Sequence, residues 1–503
     1  MKKHIFLLFA GLTFSVAQSQ DISDAIRYSQ DNMNGTARFR ALNGAFGALG
    51  GDLSSLNVNP AGSAVFSNNQ MGLTFNNYNT KNNSNYFGTQ TNEDDNSFEL
   101  NQAGGVFVFK NHNPNSNWKK FSVAVNYENT NNYDNSIFSA GINPTNSVDG
   151  YFLSYANGVP LDALENSEYA QLDYGGQQAY LGYWGYVINP VDENNLNNTL
   201  YTSNVPAGGN YYQENSIYAS GYNGKLIFNA ATLYKDKLYI GINLNSHFTD
   251  YVKSTSFYER NNNHDPLNIN YDLNRLSFEN NLHTYGTGFS FQIGAIAKVS
   301  NEIRLGLAYE SPTWYDLNDE LSQRLVSVSS NNIDELPSDV VDPFIINFFP
   351  PYELQTPDKL TGSFAYIFGK NGLISIDYAI KNYSNTQFEP ENDPYFREVN
   401  NNMNNLLDVS NEIRIGGEYK IEALSLRAGY RFEQSPYKNG NTIGDLNGYS
   451  GGLGYSFGSI KADLSYSYAK RDSNQGFFSQ GFTDGANIIT KNNNFTMTLL
   501  FEL

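Results

Sequence analysis

The sequence predicts an all-β chain closed into a transmembrane barrel of about fourteen antiparallel strands, and three observations predict it. Apolar and polar residues alternate with period two over most of the chain. The joins between these runs alternate strictly between short and long. Beyond the first residues, no apolar stretch is long enough for a membrane-spanning helix. Composition agrees: 37 Tyr, 34 Phe and 43 Gly coexist with a mean hydropathy of −0.49. That mixture suits strands with one apolar face, aromatic ends and polar loops.

The chain opens on a basic Lys2-Lys3 pair and an apolar run from Ile5 to Val16, followed by small residues at Ser15-Val16-Ala17 or Ala17-Gln18-Ser19. This is the pattern of a cleaved export signal, assigned to residues 1–19. Its removal with Lys2 and Lys3 takes the net charge from −19 to −21, which speaks against nucleic-acid binding. Residues 20–68 do not alternate. They hold the small-residue stretch Gly44–Gly51, then Asp52–Val58, then Asn59, Pro60, Ala61 and Gly62, where proline and glycine fix a turn. Such a segment can pack closely, fold back and occlude a lumen, so 20–68 is expected to be an N-terminal hatch.

The barrel is expected over 69–503, with strands near 70–78, 98–110, 119–130, 222–234, 237–258, 272–298 and 302–313. Seven more follow near 358–368, 371–384, 410–420, 423–434, 446–457, 459–470 and 491–503. The last strand is typical: Phe495, Met497, Leu499, Phe501 and Leu503 face one way, and Asn494, Thr496, Thr498 and Glu502 the other. Short turns fall at Lys110–Trp118, Lys235-Asp236, Ser300-Asn301, Gly369–Asn371, Ile421-Glu422 and Gly458. Long polar loops are expected at 79–97, 131–221, 259–271, 314–357, 385–409, 435–445 and 471–490. A soluble sandwich has no reason to keep short joins at one end and long ones at the other; an outer-membrane barrel has. The polar face, with Arg304, Glu310, Asp377, Lys381, Arg414, Glu418, Arg427, Arg431 and Asp463, becomes the lumen.

In order along the chain, Gly44–Gly51, Asp52-Leu53-Ser54-Ser55, Asn59-Pro60-Ala61, Arg304–Pro312 and Leu426–Pro436 resemble the FadL/TodX family of outer-membrane transporters for long-chain fatty acids and aromatic hydrocarbons. The resemblance spans nearly the whole mature chain, except loops 131–221 and 385–409. It implies a hatch-plugged, porin-like barrel in the cell outer membrane. Its function would be passive lipid or fatty acid transport without ATP. In that family lateral exit depends on an inward kink in the third strand. Residues 119–130 hold neither Gly nor Pro, whereas Gly104-Gly105 lie in the preceding strand.

Catalytic signals are thin, and no enzyme, cofactor or metal site is expected. Zero Cys excludes thiol chemistry. His247 belongs to the lumen face and His283 to the face of Tyr285 and Phe289, so they should not converge. No serine is marked as a nucleophile. Loop 314–357 instead carries an apolar cluster with Phe344, Ile345, Ile346, Phe348 and Phe349, and loop 131–221 adds Tyr151, Phe152 and Leu153. Apolar loop residues mark either a ligand-capture groove or packing of the loops on each other, and the two are compatible. Expected partners are a hydrophobic small molecule, outer-membrane lipid and lipopolysaccharide, and the barrel-assembly machinery, with the protein a monomer. A surface adhesin or structural outer-membrane protein is the alternative reading.

Overall fold

In the computed structural model, which describes residues 20–261, 263, 270–331 and 333–503, the described residues form fourteen barrel strands. The expected export signal at 1–19 and His264 lie outside the described residues. The strands are β1 Gln70–Tyr86, β2 Thr89–Lys110, β3 Trp118–Asn132, β4 Tyr211–Tyr234, β5 Leu238–Arg260, β6 Asp272–Lys298 and β7 Ile303–Glu310. The second half comprises β8 Lys359–Phe368, β9 Gly372–Asn382, β10 Val409–Ile421, β11 Leu424–Glu433, β12 Ile443–Ser456, β13 Ile460–Gly476 and β14 Gly485–Glu502. Neighbours pair antiparallel, and β14 closes on β1 from Gln70↔Glu502 to Asn85↔Asn487, leaving no free edge at the seam.

All expected strands are present, but several run far beyond their expected ends. The region read as loop 79–97 is a continuous β1–β2 hairpin, tightened at Phe87-Gly88, where both residues take positive φ (45° and 87°). Likewise 471–490 is largely the outer part of β13 and β14. In 314–357, a strand Trp314–Ser330 pairs with the outer half of β6. Its polar composition is the reason for the misreading: above a membrane both faces of a strand are wet, so the period-two signal fades.

Loop 131–221 carries a strand, Asn135–Asn143, laid on β4, and helices α3 Asp149–Ala156, α4 Leu161–Asn166 and α5 Tyr174–Trp184. Their buried side chains, with Phe257, Phe278, Leu325 and Phe482, form an apolar cap core at the long-loop end. The β2–β3 ladder spans only Gln102–Lys110 against Lys120–Glu128. Farther out, side chains stitch the wall: Ser136 donates from N and Oγ to Asp95, and Asn129 and Asn132 donate to Glu99. The third strand is irregular without Gly or Pro, its register shifting between Asn129 and Asn131.

The N-terminal segment lies inside the barrel. Helix α1 Ile22–Ser29, capped by an Asp21 capping box, and the short helix α2 Ala37–Ala41, capped by Thr36, are followed by 3-10 turns Leu53–Asn57 and Pro60–Val65.

Candidate functional site

The site is built from two cavities and the N-terminal segment between them. At the long-loop end a cleft of about 520 Å³ opens among Tyr151, Tyr174, Phe257, Phe477 and Phe478. Its floor is the start of the first helix, at Asp21, Ser23 and Asp24. That helix buries Ala25, Ile26 and Tyr28 against Tyr315, Tyr352, Leu354, Phe388, Phe396 and Met403. Phe396 and Met403 belong to a loop helix, Pro394–Leu406, so helix and loop cover the mouth together. Arg27 reaches Asp24 at 2.6 Å and lies 3.9 Å from the Tyr251 ring centroid.

Below this helix an internal chamber of about 80 Å³ is lined by Asp31–Asn34 on one side and by Lys225, Glu310, Lys359, Glu412 and Arg414 of the wall on the other. Asp31 ties the segment to the wall through Lys359 at 2.9 Å and Lys381 at 3.2 Å. Burial pushes its carboxyl up, but the two ammonium groups outweigh that and hold it well below the usual carboxylate range. Arg38 makes the opposite tie, to Glu418 at 2.8 Å, and Glu418 also accepts from Arg427 at 2.7 Å. Lys225 differs from these cations. It is 6% exposed and lines the chamber, yet among the described residues its ammonium has no ion-pair or hydrogen-bonding partner.

The Asn59–Gly62 turn is docked on β4, β5 and β6. Asn59 caps the following turn by accepting from Ala61 N at 3.1 Å. Its amide donates to the carbonyl oxygens of Gly47 at 2.8 Å and Ala295 at 3.0 Å. Pro60 starts the turn with its φ preset, and its carbonyl accepts from Asn229 at 2.9 Å. Ala61 and Gly62 are buried beneath it. The wall admits the turn because it is glycine there. A Cβ on Gly294 would stand 2.2 Å from Asn59 Oδ1, and one on Gly241 would stand 2.4 Å from the Pro60 oxygen. Asn243 and Gln292 donate to the carbonyls of Leu56 and Asn57, and Ser450 to that of Ala41. The polar face of these strands therefore satisfies segment carbonyls that burial would otherwise leave unpaired.

The apolar loop residues separate into two groups. Tyr151 lines the cleft, Phe152 is fully buried in the cap core, and Leu153 and Ile345 pack against that core. Phe349 is buried, whereas Phe344, Ile346 and Phe348 are exposed, Phe344 at 91%. None of these last four lines the cleft. Sequence reading missed Phe477 and Phe478, at the tip of a hairpin taken for a polar loop, and it missed Lys225, which reads as one lumen charge among many. His247 and His283 stay apart, as alternation implies. His247 sits 2.9 Å from Ser290 and 3.4 Å from the Tyr315 hydroxyl. Ser290 is fully buried and His247 5% exposed, and among the described residues no carboxylate is hydrogen-bonded to either.

Comparison with known proteins agrees with this geometry. A family model described as outer membrane protein transport protein (OMPP1/FadL/TodX) matches residues 236–492. The fold is similar to that of a Pseudomonas aeruginosa FadL homologue, with 13% identity, 94% of this chain and 99% of that chain covered, and a TM-score of 0.56. It is also similar to the P. putida toluene transporter TodX, with 13% identity, the same coverage and a TM-score of 0.51. Among curated proteins no sequence matches. The chain therefore belongs to the OMPP1/FadL/TodX family, outer-membrane barrels that transport hydrophobic substrates.

Proposed function

We propose that this barrel carries long-chain fatty acids or related lipophiles inward by diffusion between successive sites, with residues 20–68 as its hatch. The protein would act as a monomer surrounded by outer-membrane lipid, and lipopolysaccharide outside. Its relatives are transporters rather than enzymes. One observation carries the reading: an aromatic outer cleft lies at one end of the first helix, and at its other end lies an inner chamber whose Lys225 ammonium has no ion-pair or hydrogen-bonding partner among the described residues. The aromatic rings suit an alkyl chain. The Lys225 ammonium suits a carboxylate, since a buried cation gains most from an anion that restores its lost hydration. Capture would begin at Tyr151 with Phe477 and Phe478, with Phe344, Ile346 and Phe348 as a first apolar contact farther out. The Asn59–Gly62 turn would be the part of the hatch that yields.

Oleate and oleate methyl ester binding to the native barrel and to Lys225→Met tests this. The variant is expected to lose roughly tenfold in oleate affinity, within the range of a charged hydrogen bond, and to bind the ester unchanged. Equal loss for both ligands would remove the carboxylate from the reading. Absence of oleate uptake by native proteoliposomes would favour the adhesin or structural alternative.

A further inference from the structure

The outer wall holds a concavity separate from the aromatic cleft at the long-loop end. On the membrane-facing side of β4 to β7 a groove of about 750 Å³ has small floor residues, Ala230 and Ala295, between large rim residues such as Phe121, Ile242, Leu307 and Leu360. Gly241 and Gly294 thin the same wall from within, where Pro60 and Asn59 press on it. Large lipid-facing side chains are the rule on this barrel, so a small-residue floor makes a pocket where the surface elsewhere is studded.

The foot of the groove is equally distinct. The groove residues Thr232 and Ile240 face each other in register, and the same hairpin ends two residues below, where Tyr234 pairs with Leu238 around Lys235-Asp236-Lys237. Trp118 and Tyr234 meet there at a 58° tilt with ring centroids 4.9 Å apart, and Lys235 Nζ lies 5.3 Å from the Tyr234 ring centroid. Such aromatics sit at the headgroup level of a bilayer. Lys235 and Lys237 are exposed, and among the described residues neither forms an ion pair. Lys110, also exposed, ends the neighbouring β2. In a chain of net charge −19, this cluster of unpaired cations beneath an apolar groove is complementary to one kind of occupant.

We propose that the groove is a site for an anionic phospholipid of the inner leaflet, with an acyl chain over Ala230 and Ala295 and the phosphate at Lys235 and Lys237. The short turns are periplasmic, so the head group lies at the periplasmic face.

Native mass spectrometry of the mature barrel in detergent, with equimolar dioleoyl-phosphatidylglycerol and dioleoyl-phosphatidylethanolamine, tests the site. Retention of phosphatidylglycerol is expected to exceed that of phosphatidylethanolamine by about fivefold or more, from two lysines near an anionic head. The double variant Lys235→Gln/Lys237→Gln should bring the ratio to parity, and Ala295→Phe should lower retention of both lipids by filling the floor. Equal retention by the native barrel, or an unchanged ratio in the lysine variant, overturns the proposal. Undiminished retention by Ala295→Phe overturns the placement of the chain. Should Ala295→Phe fail to assemble, quenching of Trp118 by dibrominated lipids replaces it. Stronger quenching by the glycerol lipid supports the site, and equal quenching by both refutes it.

Discussion

Asn59 shows how much one side chain can hold when every one of its atoms is used. Its oxygen caps a turn and its amide bridges two carbonyls, one from its own segment and one from the barrel wall. Asn59→Asp keeps the cap and replaces both donors by an anion facing carbonyl oxygen. Leaving such groups unpaired costs about 1–3 kcal/mol each. In planar bilayers this variant is expected to leak ions several-fold more than the native barrel while keeping normal gel mobility. Asp31 governs the other end of the segment. Because its pKa is held down in the docked state, its contribution is present above the ordinary carboxylate range and is lost only as pH falls through the lower, docked value. Conductance should therefore stay flat from about pH 8 to pH 5, and Asp31→Asn should raise it across that whole range.

At the level of elements, what was legible depended on where the membrane is. Alternation found each of the fourteen strands because lipid on one face and lumen on the other impose period two. It lost Asn79–Tyr86 and Thr89–Ser97, where Asn, Thr and Asp occupy both faces of a paired hairpin. It lost α3 and α5 for a different reason: helices packed on nearly all sides, such as Asp149–Ala156, show no amphipathic stripe to read. The Asn59-Pro60-Ala61 turn was legible from Pro and Gly, but Gly241 and Gly294 gain their meaning only once that turn is placed against them. Gly294→Val should thus undock the turn and raise leak conductance as Asn59→Asp does. The apolar cluster of 340–352 also divides. Phe348→Asp, at a site 71% exposed, should change thermal stability by less than about 0.5 kcal/mol. Phe349→Asp, at a site 7% exposed, should cost more than about 2 kcal/mol. Thermal melts in detergent distinguish the two.

The molecule as a whole is a ring of strands with a filled centre. The mature protein is expected to migrate faster unheated than boiled, as a closed barrel that resists detergent does, and identical mobility would contradict the closure. Deleting 41–62 should leave that behaviour intact and raise conductance well above the native level. The closing seam gives the filled centre a meaning for biogenesis. Thr498 of the last strand lies 2.8 Å from Thr74 of the first, and the same hydroxyl accepts from Ala37 N at 2.7 Å. Asn101, at the bulge of β2, accepts from Gly35 N at 2.7 Å. The N-terminal segment is thus part of the surface on which the final strand settles. On the hatch reading proposed above, sealing the ring and stoppering it would be a single step, and a cell inserting this protein would pass through no stage at which an open pore pierces its outer membrane.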